Sequence, residues 1–460
     1  MASEEIIGRL QEIVGQENVL FSDMDRTLYG YDASLDKGRA EAVVLPDSTE
    51  EVSRVVALAY KEKIPVIGRG SGTNLSGGTI PVQGGIVVHF SRMNRILEVD
   101  IPNRTVMVEP GVITLDLQNR MLELGFIYAP DPASQKVSTI GGNFGENSGG
   151  PHCLKYGVTT NHVLGAEMVL YDGTVVWVGG KSQDTPGYDL PGLLVGSEGT
   201  LGLMTKVILR LLKAPEAVKT MLAIYDTIED ASNTVSAIIA EGIVPATLEM
   251  MDRVVMKAVE ESVHAGYPLD AAAVLIIELD GMADGMERQA EKIMDICNRH
   301  HVREVHIAKD AEERARLWVG RKGAFGAITR LRPSYMVCDG TVPRTRLPEV
   351  LNRVMETGEK YGLLIGNVFH AGDGNLHPLI LFDERDGAEL EKVRKASREV
   401  LKICAEAGGT ISGEHGIGVE KLQEMPFVFS ERDLAAMRKV KRAMDPYNIY
   451  NPGKVVPEPG

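Results

Sequence analysis

The sequence predicts an α+β fold of two or three packed units, on three observations. The chain has 460 residues, which is about three times the length of a typical domain. Its 44% apolar and 25% charged residues are ordinary for a globular protein and exclude disordered, collagen-like and disulfide-rich classes. From about residue 218 onward, strand-like and helix-like segments alternate, whereas glycine-rich loops interrupt the part before it.

Charge and hydropathy restrict the possible partners. The net charge of −15 opposes binding to phosphate backbones and to anionic lipid. The chain starts with an acidic segment, unlike the basic and apolar start of a signal peptide. The longest apolar run, Ala271–Ile277, is far shorter than the roughly 20 residues that span a bilayer. We therefore expect a cytoplasmic protein without nucleic-acid partners, which reaches a membrane only through another protein.

Residues 1–215 predict a first domain of short strands and helices. Its predicted elements are strands at 43–46, 65–67 and 86–90, helices at 48–63 and 114–124, and hairpins at 96–108 and 164–178. Ser48 and Glu51 have the spacing of a capping box at the first of these helices. Asp172-Gly173 predicts a type I′ turn in the second hairpin.

Residues 216–410 predict a second domain with longer elements. Its predicted strands are 218–225, 246–251, 272–280, 303–308, 335–339 and 363–370, and its helices are 228–241, 252–264, 284–300 and 310–330. This order is typical of an α+β domain with an antiparallel sheet, in part ferredoxin-like. A C-terminal segment, 411–460, returns to glycine-rich loops and carries a predicted helix at 431–443.

Three glycine-rich loops in the first domain carry hydroxyl and amide side chains. They are Gly68–Gly78, Ser138–Gly150 and Gly196–Gly202. Successive small residues allow consecutive backbone N–H groups to surround an anion. The loops match neither a P-loop nor a Rossmann fingerprint. One such loop is equally consistent with a glycine-rich surface segment, but three together favour an extended dinucleotide.

A pair of histidines forms the sharpest motif of the second domain. His370 and His377 flank Asp373-Gly374, a tight-turn signal between two apolar strands. If these strands pair, the two imidazoles become neighbours and can bind one divalent metal, with Glu414 of Gly-Glu-His-Gly as a third ligand. Zinc, iron(II) and manganese all accept such ligands. The alternative is a pair of structural histidines at the base of a hairpin.

These motifs resemble a known family. The pattern from Pro46 to Gly202 is similar to flavoproteins of the vanillyl-alcohol-oxidase type, and the likeness extends over essentially the whole chain. Within that type the chain resembles the large flavin subunit of glycolate oxidases and their D-lactate dehydrogenase relatives. The resemblance implies a two-lobed FAD-binding domain of the vanillyl-alcohol-oxidase (PCMH) type, an antiparallel α+β cap domain, and a C-terminal segment that returns to the flavin site.

The resemblance also implies residues that bind FAD. They are Pro46, Arg69, Gly70, Ser71, Gly72, Thr73, Asn74, Ser76, Gly77, Pro132, Ser138, Thr139, Gly141, Gly142, Asn143, Asn147, Ser148, Gly149, Tyr156, Gly157, Glu198, Gly202 and Asn451. Some family members attach flavin covalently to His or Cys. Because the first loop has Arg69 and Ser71 instead, we expect non-covalent FAD, with His152 and Cys153 as the remaining candidates for a tether.

By the same resemblance the chain is a D-2-hydroxy-acid dehydrogenase. His370, His377 and Glu414 correspond to metal ligands, and His415 to the base that takes the hydroxyl proton while a hydride moves from Cα to flavin N5. Arg321 is our candidate for holding the substrate carboxylate, with a solvated helix face as its alternative.

Substrate choice is predicted from three apolar positions. Relatives that oxidise a hydroxy diacid place polar side chains where this chain has Phe325, Val337 and Leu379. A second carboxylate would be desolvated there without a partner, at a cost of several kcal/mol. We therefore favour D-lactate or glycolate, then a longer aliphatic 2-hydroxy acid, over D-2-hydroxyglutarate.

Electrons must leave through a partner, because the cysteines cannot hold a cluster. Cys153, Cys297, Cys338 and Cys404 are dispersed and lack iron–sulfur spacing. We expect the acceptor to be an electron-transfer flavoprotein, an iron–sulfur subunit or a quinone-linked partner. Direct reaction of the reduced flavin with oxygen is the alternative. The other hypotheses are a non-catalytic flavin relay subunit of a larger complex and a non-redox flavoenzyme such as an ether-lipid synthase.

Overall fold

The structure is a computed structural model that describes residues 3–182 and 186–459. The chain forms two compact units. The first comprises the described residues of 1–150, 157–213 and 414–460, and the second comprises Pro151–Tyr156 and Ala214–Gly413. The first unit is therefore discontinuous in sequence, because its C-terminal part follows the whole of the second unit.

A small sheet organises the start of the first unit. Its spatial order is Val19–Leu20, Ala42–Val44, Ile86–His89 and Val66–Arg69. The last three strands run parallel, and the first is antiparallel to its neighbour. Alternate side chains of these strands are buried against the apolar face of the helix Thr49–Glu62, namely Val19, Val44, Val66, Ile86 and Val88, as expected for β-branched residues in strands that are covered by a helix. Val43, Ile67 and Val87 are buried in a separate cluster.

That helix begins at Ser48, whose side chain accepts the N–H of Glu51 at 3.3 Å. The capping box predicted from this spacing is only half formed. The Glu51 carboxylate accepts the N–H of Asp47 at 2.9 Å instead of that of Ser48. The Ser48 side chain still accepts a backbone N–H group of the first turn that has no partner within the helix. The helix therefore starts where it was predicted.

A five-stranded antiparallel sheet forms the other layer of the first unit. Its spatial order is Ile96–Asp100, Thr105–Val108, Leu203–Arg210, Val163–Val169 and Val175–Gly179. Other elements of this unit are the short strands Phe126–Ile127 and Leu212–Lys213 and the helices Glu4–Val14, Asp23–Leu28, Thr114–Leu122, Ile140–Glu146, Leu190–Leu194 and Glu431–Met444. Both predicted hairpins lie in this sheet.

The turn of the second hairpin differs from the predicted type I′. Leu170 N–H donates to Thr174 O at 2.8 Å, and Gly173 N–H donates to Leu170 O at 2.9 Å. Gly173 has φ of 89°, but Asp172 does not have the positive φ that a type I′ turn requires. The prediction was wrong because Tyr171 joins the loop, which makes it a three-residue hairpin connection with a left-handed glycine.

The second unit is built on an antiparallel sheet. Five strands lie in the spatial order Glu304–Ile307, Ala217–Tyr225, Ala273–Gly281, Thr247–Asp252 and Leu364–His370. Further strands are Ser334–Val337, Gly340–Thr341, Asn375–Leu376 and Pro378–Phe382, and the helices are Cys153–Tyr156, Ile228–Ala240, Arg253–Val263, Met286–Arg299, Ala311–Ala327, Leu347–Tyr361 and Gly387–Glu406. The α+β architecture with an antiparallel second sheet is thus confirmed. Within 3–182 and 186–459, no helix is both long and apolar enough to cross a membrane.

A buried carboxylate holds the helix Ala311–Ala327 on this sheet. Glu278 is 1% exposed and accepts hydrogen bonds from Arg314 Nε and Nη2 at 2.9 Å each and from Trp318 Nε1 at 2.8 Å. Thr220 Oγ1 donates to it at 2.6 Å, and His152 Nε2 lies 3.5 Å away. Burial alone would raise the pKa of Glu278, but His152, Arg314 and Thr220 outweigh burial and lower it to about 2.

This network predicts acid sensitivity. The pKa of Glu278 rises from about 2 to its ordinary 4.5 on unfolding, so the unfolded state binds the extra proton as the pH falls from 4.5 through 2. The native state should then lose about 3 kcal/mol of its free energy of unfolding. Urea unfolding of the wild type and of Glu278→Gln at several acidic pH values measures this loss. A variant as acid-sensitive as the wild type would contradict the assignment to Glu278.

Candidate functional site

The three glycine-rich loops meet around one cavity of the first unit, with about 580 Å³ of empty space that is partly open to solvent. Predicted residues that line it are Arg69, Gly70, Thr139, Gly141, Gly142, Glu198 and Gly202. The other residues that line it were not among the predicted FAD-binding residues: Gly68, Gly78, Thr79, Phe90, Pro110, Phe144, Gly145, Glu146, Ser197, Gly199, Leu203 and Met204.

The absence of side chains at the glycines makes room in this cavity. A Cβ added at Gly142 or Gly145 would find its nearest neighbour at 3.4 or 4.0 Å, and one at Gly199 would meet nothing within 4 Å. Side chains at these positions would therefore fill space that is now open. Gly70 is different, because its Cβ would lie 2.3 Å from Thr139 Oγ1, so glycine there allows two loops to touch. A small-residue cradle of this kind fits a phosphate-bearing cofactor.

Other predicted side chains fix the conformation and position of the loops. Asn74 Oδ1 accepts the N–H groups of Ser76 and Gly78 of its own loop at 3.0 and 2.7 Å. Ser71 Oγ donates to Val137 O at 2.5 Å.

Two predicted asparagines bind segments that are far from them in the sequence. Asn143 Nδ2 donates to Thr114 Oγ1 at 2.9 Å, and Asn451 Nδ2 donates to the carbonyls of Gly78 and Glu198 at 2.7 and 2.6 Å. The remaining predicted residues of this unit are not among those that line the cavity: Pro46, Gly72, Thr73, Gly77, Pro132, Ser138, Asn147, Ser148, Gly149 and Gly157.

The segment Pro151–Tyr156, which the predicted first domain 1–215 included, belongs to the second unit. Tyr156, predicted to bind the cofactor, donates its hydroxyl to Asp280 at 2.7 Å. His152 stacks on Trp318, with ring centroids 6.2 Å apart, and Cys153 begins the short helix of this segment. Sequence reasoning missed this docking, because it depends on carboxylates more than a hundred residues away in the chain.

Two buried carboxylates stand beside the cavity. Glu198 accepts the N–H groups of Ile417 and Gly418 at 2.7 and 2.8 Å. A Cβ at Gly416 would lie 2.5 Å from a Glu146 oxygen and 2.7 Å from a Glu198 oxygen, so both carboxylates reach the same point. Burial, and then the charge of Glu198, raise the pKa of Glu146 well above its ordinary value. Burial and the adjacent negative charge therefore favour the protonated form of Glu146.

In the second unit, the strands brought together by Asp373-Gly374 place His370 and His377 side by side. His370 pairs with Asn375 in the antiparallel ladder, so His377 is a diagonal neighbour on the same face. The two ring centroids are 5.1 Å apart, and both residues are buried. The two imidazoles are therefore neighbours, as the sequence predicted.

Glu249 is a functional candidate that sequence reasoning missed. It lies directly opposite His370 in the ladder. Its Oε1 is 2.7 Å from His370 Nδ1, and its Oε2 accepts Arg321 Nε at 2.7 Å and Nη2 at 2.6 Å. Burial acts to raise the pKa of Glu249, but the charges of Arg321 and His370 outweigh it and lower the pKa. The available signal was a carboxylate in the middle of a largely apolar strand, Thr247–Asp252, which also ends in Asp252.

Arg321 is buried, so the solvated helix face weighed as its alternative is wrong. Asp339, also buried, extends the polar group around His377, whose Nε2 lies 3.5 Å from its Oδ1. Ser412 Oγ donates to Asp339 Oδ2 at 2.7 Å, and Gly413 N–H donates to Asp339 O at 3.0 Å. The chain passes to the first unit directly after Gly413, where Glu414 and His415 follow.

The three positions used to predict substrate size share one apolar cluster. Val337 and Leu379 are cross-strand partners and are buried in it. Phe325 packs on that cluster, with its ring centroid 6.4 Å from that of His377. Phe325 therefore brings apolar surface beside one of the two histidines.

Known proteins share the features of both units. Residues 40–179 match the family model of an FAD binding domain, and residues 214–455 match that of FAD linked oxidases, C-terminal domain. The glycolate oxidase subunit GlcD of Bacillus subtilis (strain 168) is 43% identical over 99% of this chain and 97% of its own length. GlcD of Escherichia coli (strain K12) is 41% identical over 98% and 91%. A probable mitochondrial D-lactate dehydrogenase of Danio rerio is 31% identical over 99% and 92%.

Solved structures show the same fold. A p-cresol methylhydroxylase with bound substrate has a TM-score of 0.82 over 98% of this chain and 96% of its own, at 18% identity. An alkyldihydroxyacetonephosphate synthase has a TM-score of 0.77 over 98% and 85%, at 20% identity. These likenesses confirm the predicted vanillyl-alcohol-oxidase fold and, at such identities, speak for the fold alone. With both family models matched and relatives above 40% identity along nearly the whole sequence, the chain belongs to the family of FAD-linked oxidases.

Proposed function

We propose that this protein oxidises a short D-2-hydroxy acid, D-lactate or glycolate, to the 2-oxo acid with non-covalent FAD and one divalent metal. His370, His377 and Glu414 would hold the metal, His415 would act as base and Arg321 would hold the substrate carboxylate. The observation that carries the proposal is the buried pair His370 and His377, with Arg321 on the same carboxylate as His370. Relatives named as a glycolate oxidase subunit and as D-lactate dehydrogenases support the substrate class.

The donor set fits a metal of the zinc, iron(II) or manganese type. Two imidazoles and a carboxylate leave positions open for a substrate. When bound, the metal stabilises the developing alkoxide of the substrate, and FAD supplies the acceptor for the hydride from Cα. His415 accepts the hydroxyl proton. The Nε–Nη2 edge of Arg321 is occupied by Glu249, so its remaining Nη donors are the ones available to a substrate carboxylate.

The apolar wall selects a small substrate. Phe325, Val337 and Leu379 offer no polar partner for a second carboxylate, which would lose its hydration at a cost of several kcal/mol. The electrons should pass to a separate protein, an electron-transfer flavoprotein or an iron–sulfur subunit. Two observations support a separate electron acceptor. The cysteines are dispersed along the chain, and two relatives are named as subunits of a glycolate oxidase.

An anaerobic titration tests the proposed function. The titration follows the absorbance of oxidised flavin at about 450 nm. D-Lactate, L-lactate, glycolate or D-2-hydroxyglutarate is added in separate runs. D-Lactate or glycolate should bleach the flavin, a chelator should prevent bleaching, and added metal should restore it. Stronger bleaching by D-2-hydroxyglutarate would contradict the apolar-wall argument. No bleaching by any acid in flavin- and metal-replete protein would favour a relay subunit.

FAD affinity should fall as the pH rises through the raised pKa of Glu146. Burial and the charge of Glu198 favour the protonated form of Glu146, and its ionisation adds a negative charge beside the cavity. About 1.4 kcal/mol of repulsion between this charge and the phosphates of FAD would weaken binding roughly tenfold. Glu146→Gln should remove this loss, as measured by FAD fluorescence in titrations of apoprotein over a series of pH values. An equally steep profile in the variant would assign the effect to another group.

A further inference from the structure

One buried carboxylate joins two of the side chains assigned to the proposed site. Glu249 is 1% exposed and divides its oxygens between Oε1 for His370 and Oε2 for Arg321. The contact with His370 is set by the ladder, since the two residues are direct cross-strand partners. The three groups lie on two strands and one helix, and at least one of these elements would have to shift to separate them.

The contact determines which nitrogen of His370 carries the proton. Arg321 gives Glu249 a permanent positive partner, so the carboxylate is ionised and can only accept hydrogen bonds. The Nδ1 atom of His370 must therefore be the donor. In the neutral ring the lone pair is then on Nε2, which is the atom that can ligate a metal.

We propose that Glu249 is a positioning residue for the reaction: it holds His370 in the tautomer that would bind a metal through Nε2 and fixes Arg321 relative to His370. This inference rests on the proposed function. Its consequence for Arg321 is geometric, because one carboxylate binds both groups and the spacing between imidazole and guanidinium cannot vary freely. A fixed spacing suits a substrate whose hydroxyl and carboxylate are on adjacent carbons.

The isosteric variant Glu249→Gln separates this role from general stability. If its amide oxygen keeps the bond to Arg321, its NH₂ group faces His370 Nδ1 and favours the ring with the proton on Nε2. That tautomer cannot ligate a metal through Nε2. The matched control is Glu278→Gln, which also removes a buried, arginine-paired carboxylate from the same sheet and contacts neither His370 nor His377.

The experiment measures Zn²⁺ affinity of the FAD-loaded protein by competition with a chromophoric chelator, after the resident metal has been removed. Glu249→Gln should bind Zn²⁺ about 10- to 100-fold more weakly than the wild type, and Glu278→Gln should bind it as the wild type does. Glu249→Asp keeps the charge but withdraws it by one methylene, so its affinity should lie between those of the wild type and the glutamine variant. Thermal melting reports whether each variant is folded.

Several outcomes would overturn the inference. Wild-type affinity in Glu249→Gln would do so, and so would an equal loss in Glu278→Gln. If Glu249→Gln does not fold, wild-type affinity in Glu249→Asp would do the same. The proposed function fails separately, when wild-type protein with bound Zn²⁺ shows no bleaching by any hydroxy acid. Loss of Zn²⁺ in Glu249→Gln would still support the tautomer role in that case.

Discussion

His377→Ala should abolish reduction of the flavin by D-lactate while FAD stays bound. His377 is buried beside His370 at the end of the strand pair of the second unit, whereas the glycine cradle is in the first unit. Loss of a metal that stabilises the alkoxide removes several kcal/mol, which corresponds to a rate lower by roughly a thousandfold or more. Stopped-flow absorbance of the bound flavin measures the rate, and elemental analysis measures the metal.

His306→Ala is the control for this variant. His306 belongs to the same unit, is 38% exposed in its side chain and contacts Glu313 rather than the histidine pair. It should reduce its flavin at the wild-type rate and keep its metal. A His377→Ala protein that is folded, lacks metal and still reduces its flavin at a rate near that of the wild type would remove the metal from the mechanism.

His415→Asn should slow flavin reduction by about 10²- to 10⁴-fold, the usual contribution of a general base. Both FAD and metal should be retained, because Glu198 still holds the following backbone through the N–H groups of Ile417 and Gly418. Without the base, the hydroxyl must ionise unaided, so the residual rate should climb steadily with pH. A purely structural role for His415 would lower the rate without changing the shape of its pH profile.

His301→Asn is the matched control, since the side chain of His301 is 81% exposed and contacts only Asp230 in the described part of the chain. Metal content decides between two roles for His415. If His415→Asn loses its metal, the residue is a ligand, and the assignment of the base has to move elsewhere. If metal, FAD and rate are all unchanged, His415 has no part in the reaction.

Local sequence patterns predicted most of the elements. Helices at Thr49–Glu62, Arg253–Val263 and Ala311–Ala327 begin at capping side chains, and apolar periodicity located the strands between them. The turn at Asp172-Gly173 was the exception, because turn type depends on which residues the two strands pair. That pairing is set by the whole sheet rather than by the dipeptide.

The residue types of the site were also visible in the sequence. Glycine-rich loops with hydroxyl and amide side chains predicted the cavity, and Asp373-Gly374 between two apolar strands predicted the histidine pair. The hydrogen bonds of three predicted asparagines were not visible in the sequence. Asn74, Asn143 and Asn451 each bind other parts of the protein, and the Asn74 Nδ2 atom stays buried without a partner among the described residues.

What the sequence by itself determined is the chemistry available to this protein: its elements, its glycine cradle, its imidazole pair and its family. Only the tertiary structure decided which carboxylates control those groups. Glu249 meets His370 across 121 residues of chain and Arg321 across 72, and Tyr156 meets Asp280 across 124. The physical reason is that a carboxylate within a largely apolar strand has no oppositely charged partner in that strand. Its pKa, its hydrogen bonds and its role depend on strand register, which forms only when distant segments pack together.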